Sequence, residues 1–431
     1  MLRIIFVSLI IAAGAAASLG SSFHALLFYL WIAYFRPETW VWDASFLQSL
    51  SLSFIVGAWA VVTTVVQGTK PRFDLRVLLL VLILAISTVS AFASPYSAYA
   101  VPYWQDFAKV IVMTYVISIQ VTDERRFRLM LYVIALSLGF EAAKQGLAQL
   151  ALNPGAKNFN PTWLGDENLT AVGMFMLTPF LVVLGLTSKV KWQTWMWRVL
   201  AVGVIYRGIS TYSRGGFLAC GAVALVYIWR TPNRVRSLLA IALVAMMIVR
   251  ALPDAYWNRM DTIDAKEEDR DASAEGRVHF WRVAVLMANA NPILGVGHNA
   301  YNAAYDEYDV SKGQYGENRS VHSSWLGMLS ELGYPGLMVF IMSIAMAFLA
   351  CRRTRRLAAA LPDGRDLLYY SLALECSLVA FIVGGSFVPF QYNEMVWHVL
   401  GITMALDGIV KGRLAQVSSA NVELTYAAAV A

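Results

Sequence analysis

Arg214 opens an apolar run at Ser213-Arg214-Gly215-Gly216. Free backbone N–H groups, the positive end of a helix dipole and a guanidinium, with two glycines clearing space, make a site for a phosphate. The alternative is a plain interfacial anchor. Arg277 stands one helical turn before Trp281, so a cation would lie near an aromatic wall. His322 leads directly into Ser323-Ser324-Trp325-Leu326 and a long apolar run. In isolation such a histidine is a helix-end hydrogen-bonding residue. Two arginines on the same face imply an anionic ligand, and nearby positive charge keeps an imidazole neutral and able to accept a proton at pH 7.

Further ionisable groups fall inside or at the ends of apolar runs, where they are costly and therefore candidates for function. Lys109, Glu141, Lys144 and Arg207 lie within such runs, and Arg36 lies at the end of one. Glu141 and Lys144, at i,i+3 spacing, can also simply pair. Asn291-Pro292-x-x-Gly295-x-Gly297 is a compact turn in which both glycines are assigned a structural role. His298-Asn299 follows it, a second histidine that could be mistaken for the first. Asp269-Arg270-Asp271 has the form of a metal-binding pair but belongs to a solvated charge run, Lys266 to Asp271, without the rigid frame of converging oxygens that a divalent ion needs. No metal or other cofactor is expected. Cys220, Cys351 and Cys376 are too scattered for a zinc site and lie outside the one long polar segment, so no disulfide is expected there.

The elements that must hold these residues are helices in a membrane. Hydrophobic residues make up 58% of the chain and charged residues 14%, against about 25% charged for an ordinary soluble domain. Runs of the ~20 apolar residues that a bilayer requires recur at 4–19, 22–35, 46–66, 75–94, 104–121, 126–151, 169–187, 193–212, 214–230, 235–252, 323–350, 367–387 and 394–411, about twelve crossings in all because the first two are short. Alternating ten-residue segments of barrel type are missing. The expected fold is an all-α, polytopic membrane bundle in three parts: helices with short loops over 1–252, a large polar loop with short helices over 253–322, and further spanning helices over 323–431. Within the loop, 275–289 has the pattern of a helix with Phe280, Trp281, Val285 and Leu286 on its apolar face. The opening Met1-Leu2-Arg3, an apolar run and Ala15-Ala16-Ala17 are similar to a signal peptide; 4–19 and 22–35 are nevertheless expected to remain as a short helical hairpin or a pair of half-spans.

Basic clusters occur at every second connection, among them Lys70/Arg72/Arg76, Arg125/Arg126/Arg128, Arg230/Arg234/Arg236 and Arg352/Arg353/Arg355/Arg356, which places those connections in the cytoplasm. The other connections, including the large loop, then face the periplasm. The loop carries seven basic and twelve acidic residues, about −5, leaving about +11 for the remainder of a chain of net charge +6. The basic balance thus reports topology and anionic-lipid contact rather than nucleic-acid binding.

Ser213-Arg214-Gly215-Gly216, Arg277 with Trp281, Asn291-Pro292-x-x-Gly295-x-Gly297, and His322 followed by Leu326 and Glu331-x-Gly333, in that order and around a large loop before the last helices, resemble the O-antigen ligase/polymerase superfamily. The O-antigen ligases are the nearest group within it. Tyr34-Phe35-Arg36-Pro37 is similar to the branch of O-glycosylation ligases associated with exosortase systems. Ser323 departs from the pattern, since many relatives carry Asn after the histidine. The resemblance implies a metal-independent glycosyltransferase of GT-C type on the periplasmic face of the inner membrane. Its donor would be O-antigen on undecaprenyl pyrophosphate and its acceptor a hydroxyl of the lipid A core. His322 would act as base and Arg214 and Arg277 would clamp the pyrophosphate, with Arg36, Arg207, Ser213, Trp281 and Glu331 as further contacts. An O-antigen polymerase or a protein O-oligosaccharyltransferase fits the same residues. A lipid-linked glycan transporter fits less well, because neither internal repeat nor symmetry is visible and the charges gather on one face.

Overall fold

The computed structural model describes residues 2–41, 50–158, 162–231, 233–251, 253–254, 256–257 and 272–430. Asp269, Arg270 and Asp271 lie outside the described residues. Most of those described are helical, and among them the bridge between Thr162 and Gly165 is isolated. Five helices are long and apolar enough to cross a membrane, with windows at Arg3–Gly20, Leu75–Ala93, Glu167–Thr187, Ser324–Ala359 and Arg365–Gly384, and a shorter apolar helix spans Leu52–Val66. The chain is a multi-pass membrane protein.

In chain order the helices are α1 (Leu2–Gly20), α2 (Ser22–Phe35), the single turn α3 (Pro37–Trp40), α4 (Leu52–Val66), α5 (Leu75–Ala93), α6 (Ser97–Gln120), α7 (Glu124–Leu152), α8 (Glu167–Thr187), α9 (Lys191–Ile209), α10 (Arg214–Arg230), α11 (Arg234–Ala251), α12 (Ala272–Ala290), α13 (Tyr301–Tyr308), α14 (Ser324–Ala359), α15 (Arg365–Gly384) and α16 (Glu394–Val430). Five of the starts are marked by a capping residue: Asp74, Asp123, Asp166, Ser213 and Ser323 each accept hydrogen bonds from first-turn amides.

α8 is the central helix. It packs on α7, α9, α10 and α15, and most of its side chains are buried. Small residues permit close approach: a Cβ at Gly146 or Gly203 would collide with the opposing backbone of α9 or α7. α10 and α11 leave large apolar side chains uncovered, with Leu225, Trp229, Leu239 and Met246 exposed.

The arginine-rich ends of the helices are tied by buried carboxylates. Asp407 on α16 is fully buried and pairs with Arg76 at 2.8 Å, Arg353 at 2.7 Å and Lys411 at 3.0 Å. Glu375 on α15 takes Arg230 of α10 at 3.3 Å and Arg355 of α14. An ionised carboxylate this deep is stable only with such partners. These links place the last residues of α10 and α14 together at the basic end. Their first residues, carrying Arg214 and following His322, therefore lie together at the opposite end.

α14 is not continuous. Gly333 has φ +68° and ψ −172°, and Pro335 follows it. Pro335 has no N–H to give to the Glu331 carbonyl, and the Gly333 bend turns the Tyr334 N–H away from Ser330. The turn 291–297 fills this break. Val296 N donates to Ser330 O at 2.9 Å, Gly297 N to Glu331 O at 3.3 Å, and Tyr334 N to Pro292 O at 2.9 Å. Ser90 on α5 adds a hydroxyl bond of 2.8 Å to Glu331 O. Ser330 O, Glu331 O and Tyr334 N, released by the kink, are thereby answered.

α12 also differs from the sequence pattern. Its buried face is Phe280, Val283, Ala284, Met287 and Ala288, packed on Val296, Tyr301, Tyr305 and Val321. Val285 is exposed and Trp281 and Leu286 are half-buried. The stripe that packs inward is set by α13 and the 291–300 turn, so it is rotated from the one that side-chain size alone suggested.

Candidate active site

Three chain segments meet at the end opposite the arginines. The first is the start of α10. Ser213 is buried, its Oγ accepts from Gly216 N at 3.2 Å and donates to Asn168 Oδ1 at 2.8 Å. Gly215 and Gly216 do not leave open space, contrary to the sequence expectation. A Cβ on Gly215 would lie 2.9 Å from Phe387 Cβ, and one on Gly216 would lie 2.6 Å from Ala171 Cβ. The glycines let α10 approach α8 and the turn after α15. What this point offers an anion is the half-buried Arg214 and the one or two amides left after the cap, not open space.

The second segment is the start of α14. His322 is half-buried and has φ +49°, a left-handed conformation uncommon for a residue with a side chain. Ser323 caps the helix, and Ser324 is locked onto the turn after α15: its N–H donates to Gly385 O at 2.7 Å, its Oγ donates to Val388 O at 2.8 Å and accepts from Phe390 N at 2.8 Å. Phe387 of the same turn covers Gly215. The starts of α10 and α14 thus both pack on one short turn.

The third segment is α12. Phe280 lies with its ring centroid 6.0 Å from that of His322, and Arg277 sits three residues earlier on the same helix, half-buried. His322 is held below its ordinary pKa of 6.5, by burial first, then by the charge of Arg277 and more weakly by that of Arg319, while Asp166 opposes the shift. Burial and the field of two guanidinium groups thus favour the neutral imidazole. Such an arrangement can take a proton from a hydroxyl and hold an anion beside it.

The remaining candidates have definite places. His298 is buried against Phe107 and Tyr392, at centroid distances of 5.1 and 4.1 Å, and burial pushes its pKa down to about 3. It is a packing residue, remote from solvent. Glu331 accepts from Tyr301 N at 3.3 Å and from Gln391 Nε2 at 3.0 Å, so its carboxylate clasps the loop and the α15–α16 turn to α14. Arg36 donates to the buried Glu394 at 3.0 Å and lies 4.9 Å over the Trp163 ring. Arg207 is buried in α9 and donates to Gln145 at 3.2 Å. Glu141 and Lys144 pair at 2.6 Å, and Lys109 pairs with Asp106 at 2.9 Å. Trp281 is half-buried against the α12–α13 cluster.

Gly295 and Gly297 take φ +65° and +131°, and a Cβ on Gly295 would lie 2.3 Å from the Glu331 carbonyl carbon. Their structural role follows from the docking of the turn into the break of α14.

Three residues near His322 or Arg214 were not singled out from sequence. Asp166 and Arg319 contribute to the field at His322, and Asn168 holds Ser213. Asp166-x-Asn168 before an apolar run does signal a helix start, but nothing local tells that this start faces α10.

Residues 199–341 match a family model described as O-antigen ligase. Residues 1–170 match a second model, described as a family of unknown function (DUF5935). No curated protein gives a significant match. The first match contains Ser213, Arg214, Arg277 and His322; Asp166 and Asn168 fall in the second.

Proposed function

We propose, from the match of residues 199–341 to the O-antigen ligase family model, that the chain is a member of the O-antigen ligase/polymerase superfamily and a periplasm-facing glycosyltransferase of the inner membrane. It transfers an O-antigen chain from undecaprenyl pyrophosphate to a hydroxyl of the lipid A core. The observation that carries the reading is the half-buried His322 in the field of Arg277, at the start of α14, with the start of α10 and its Arg214 packed on the same turn.

In this reaction the acceptor oxygen attacks the anomeric carbon as the bond from that carbon to the pyrophosphate oxygen breaks. His322 takes the hydroxyl proton. Arg214 and Arg277 receive the developing negative charge on the departing undecaprenyl pyrophosphate, a charge already well delocalised, so a strong general acid is unnecessary. Attack opposite the leaving group inverts the anomeric configuration. Guanidinium groups supply the positive charge that a divalent ion provides in other transferases, and the proposed reaction is metal-independent. About twelve spans and a large periplasmic loop over 253–322 complete the proposed topology.

Deletion in the native host, followed by gel analysis of lipopolysaccharide, tests the reading. Loss of all long chains from the core, with lipid-linked polymer still made, supports the ligase. Core bearing a single repeat unit indicates a polymerase instead, and unchanged lipopolysaccharide rejects both.

A further inference from the structure

At the basic end of the bundle, away from His322, α7 and α16 leave a crevice of about 440 Å³ lined by Glu124, Arg125, Gly412, Arg413 and Gln416 among others. A second hollow of about 280 Å³ adjoins it, sharing Glu124 and Arg125 and continuing to Arg128, Leu129 and Tyr132. Most arginines here are answered by acids. Arg413 pairs with Glu124 at 2.6 Å, Arg126 with Asp123 at 3.5 Å, and Arg128 with Asp366 at 2.8 Å. Arg125, common to both hollows, is exposed and has no carboxylate within 4 Å among the described residues. On α16 the wall is lowered by Gly412, where an added Cβ would meet nothing within 4 Å.

The side chains beyond Arg125 identify the class of anion. Leu129, Tyr132, Leu136 and Phe140 follow it along one face of α7 at spacings of three and four residues. Leu136 is 41% and Phe140 is 55% exposed, so the stripe stays open along its length, and Tyr132 is fixed by stacking on Trp197 at 5.3 Å. From Arg125 to Leu136 the helix rises about 16 Å, close to the depth of one bilayer leaflet, about 15 Å. A basic headgroup pocket thus continues into an apolar track of acyl-chain length.

We propose that this crevice binds an anionic phospholipid, its phosphodiester held between Arg125 and Arg413 and one acyl chain lying along Leu129, Tyr132, Leu136 and Phe140. A free phosphate would use the arginines but not the track. The α7 amides play no part in the proposed site; one of them, Arg126 N, already donates to Asp123 at 2.9 Å. The inference is independent of the transfer reaction and of the residues assigned to it.

The test uses the full chain in detergent, titrated with phosphatidylglycerol or phosphatidylcholine and followed by native mass spectrometry. Wild type should prefer phosphatidylglycerol, and Arg125→Gln should weaken that lipid by about fivefold, the effect of one interfacial basic residue. Arg125 makes no ion pair among the described residues, so this variant should fold as wild type; Arg413→Gln, which also breaks the Glu124 pair, serves as the second variant. Leu136→Asn with Phe140→Asn should weaken the lipid while leaving inorganic phosphate without effect. An Arg125→Gln protein with unchanged preference, a wild type indifferent to headgroup charge, or displacement of the lipid by inorganic phosphate at equal concentration would each overturn the proposal.

Discussion

Asn168 on α8 and Ser213 before α10 share a hydrogen bond of 2.8 Å, and this contact joins the two regions that match separate family models. Ser213 also caps α10, so one hydroxyl sets both the start of the helix and its seat on α8. Ser213→Ala should cost about 1 kcal/mol of stability, as loss of a helix cap does, and should reduce donor affinity because Arg214 loses its fixed origin. Ser213→Thr should retain both. Thermal melting in detergent and donor-lipid binding provide the readouts; an alanine variant with wild-type binding would separate the cap from the site.

Arg214→Lys and Arg277→Lys should each impair turnover, because an ammonium cannot reproduce the two-pronged contact of a guanidinium with phosphate oxygens. Glutamate at either position should be worse through repulsion of the diphosphate. Donor binding measured by fluorescence polarisation should fall in the order arginine, lysine, glutamate. Wild-type binding by both glutamate variants would remove the clamp.

The rate should depend on pH through His322. Its pKa lies below 6.5, burial and Arg277 lowering it and Asp166 raising it, and the neutral form is the one that accepts a proton. Activity should therefore persist as pH falls from 7 through 6.5 and be lost only at lower pH. Arg277→Gln should move this acid limb upward, and Asp166→Asn should move it downward. The comparison is made on kcat/KM with reconstituted protein. A limb that fails to move in either variant would mean that another group titrates.

Much of the fold follows from local pattern. Helix starts at Asp74, Asp123 and Asp166 and the apolar runs after them are written in consecutive residues, so α5, α7 and α8 fall where hydropathy and caps place them. The positions of Arg214 and His322 at helix starts were legible for the same reason, since each begins an apolar run. The break in α14 was not. Pro335 and Gly333 signal an interruption, but its filling by 292–297 joins backbone groups some forty residues apart, and no periodicity records that. The buried face of α12 and the contact of Asn168 with Ser213 are likewise products of tertiary packing. The glycines after Arg214 were read as open space because sequence does not show Phe387 and Ala171 occupying it.

The docking of the turn into the α14 break makes a stability prediction. Gly295→Ala places a methyl 2.3 Å from the Glu331 carbonyl carbon at a positive φ, and Gly333→Ala places one 2.6 Å from Pro292 O. Each should destabilise by about 2 kcal/mol or more, combining left-handed strain with displacement of packed backbone. His298→Ala, which opens a cavity between Phe107 and Tyr392, should lower stability similarly yet keep activity per folded molecule. Melting temperatures and specific activity of the folded fraction check these together. Unchanged melting of Gly295→Ala would show that the turn is not a packed plug.

The most direct measurement is turnover by His322→Ala in proteoliposomes supplied with undecaprenyl-pyrophosphate-linked glycan and lipid A core acceptor. His298→Ala is the matched control. Half-buried and outside the main core, His322 contributes little packing, so its alanine variant should insert, fold and bind donor as wild type while transferring no glycan. The His298 variant should remain active. An active His322→Ala beside an inactive, folded His298→Ala would contradict the assignment of the base and, with it, the proposed site.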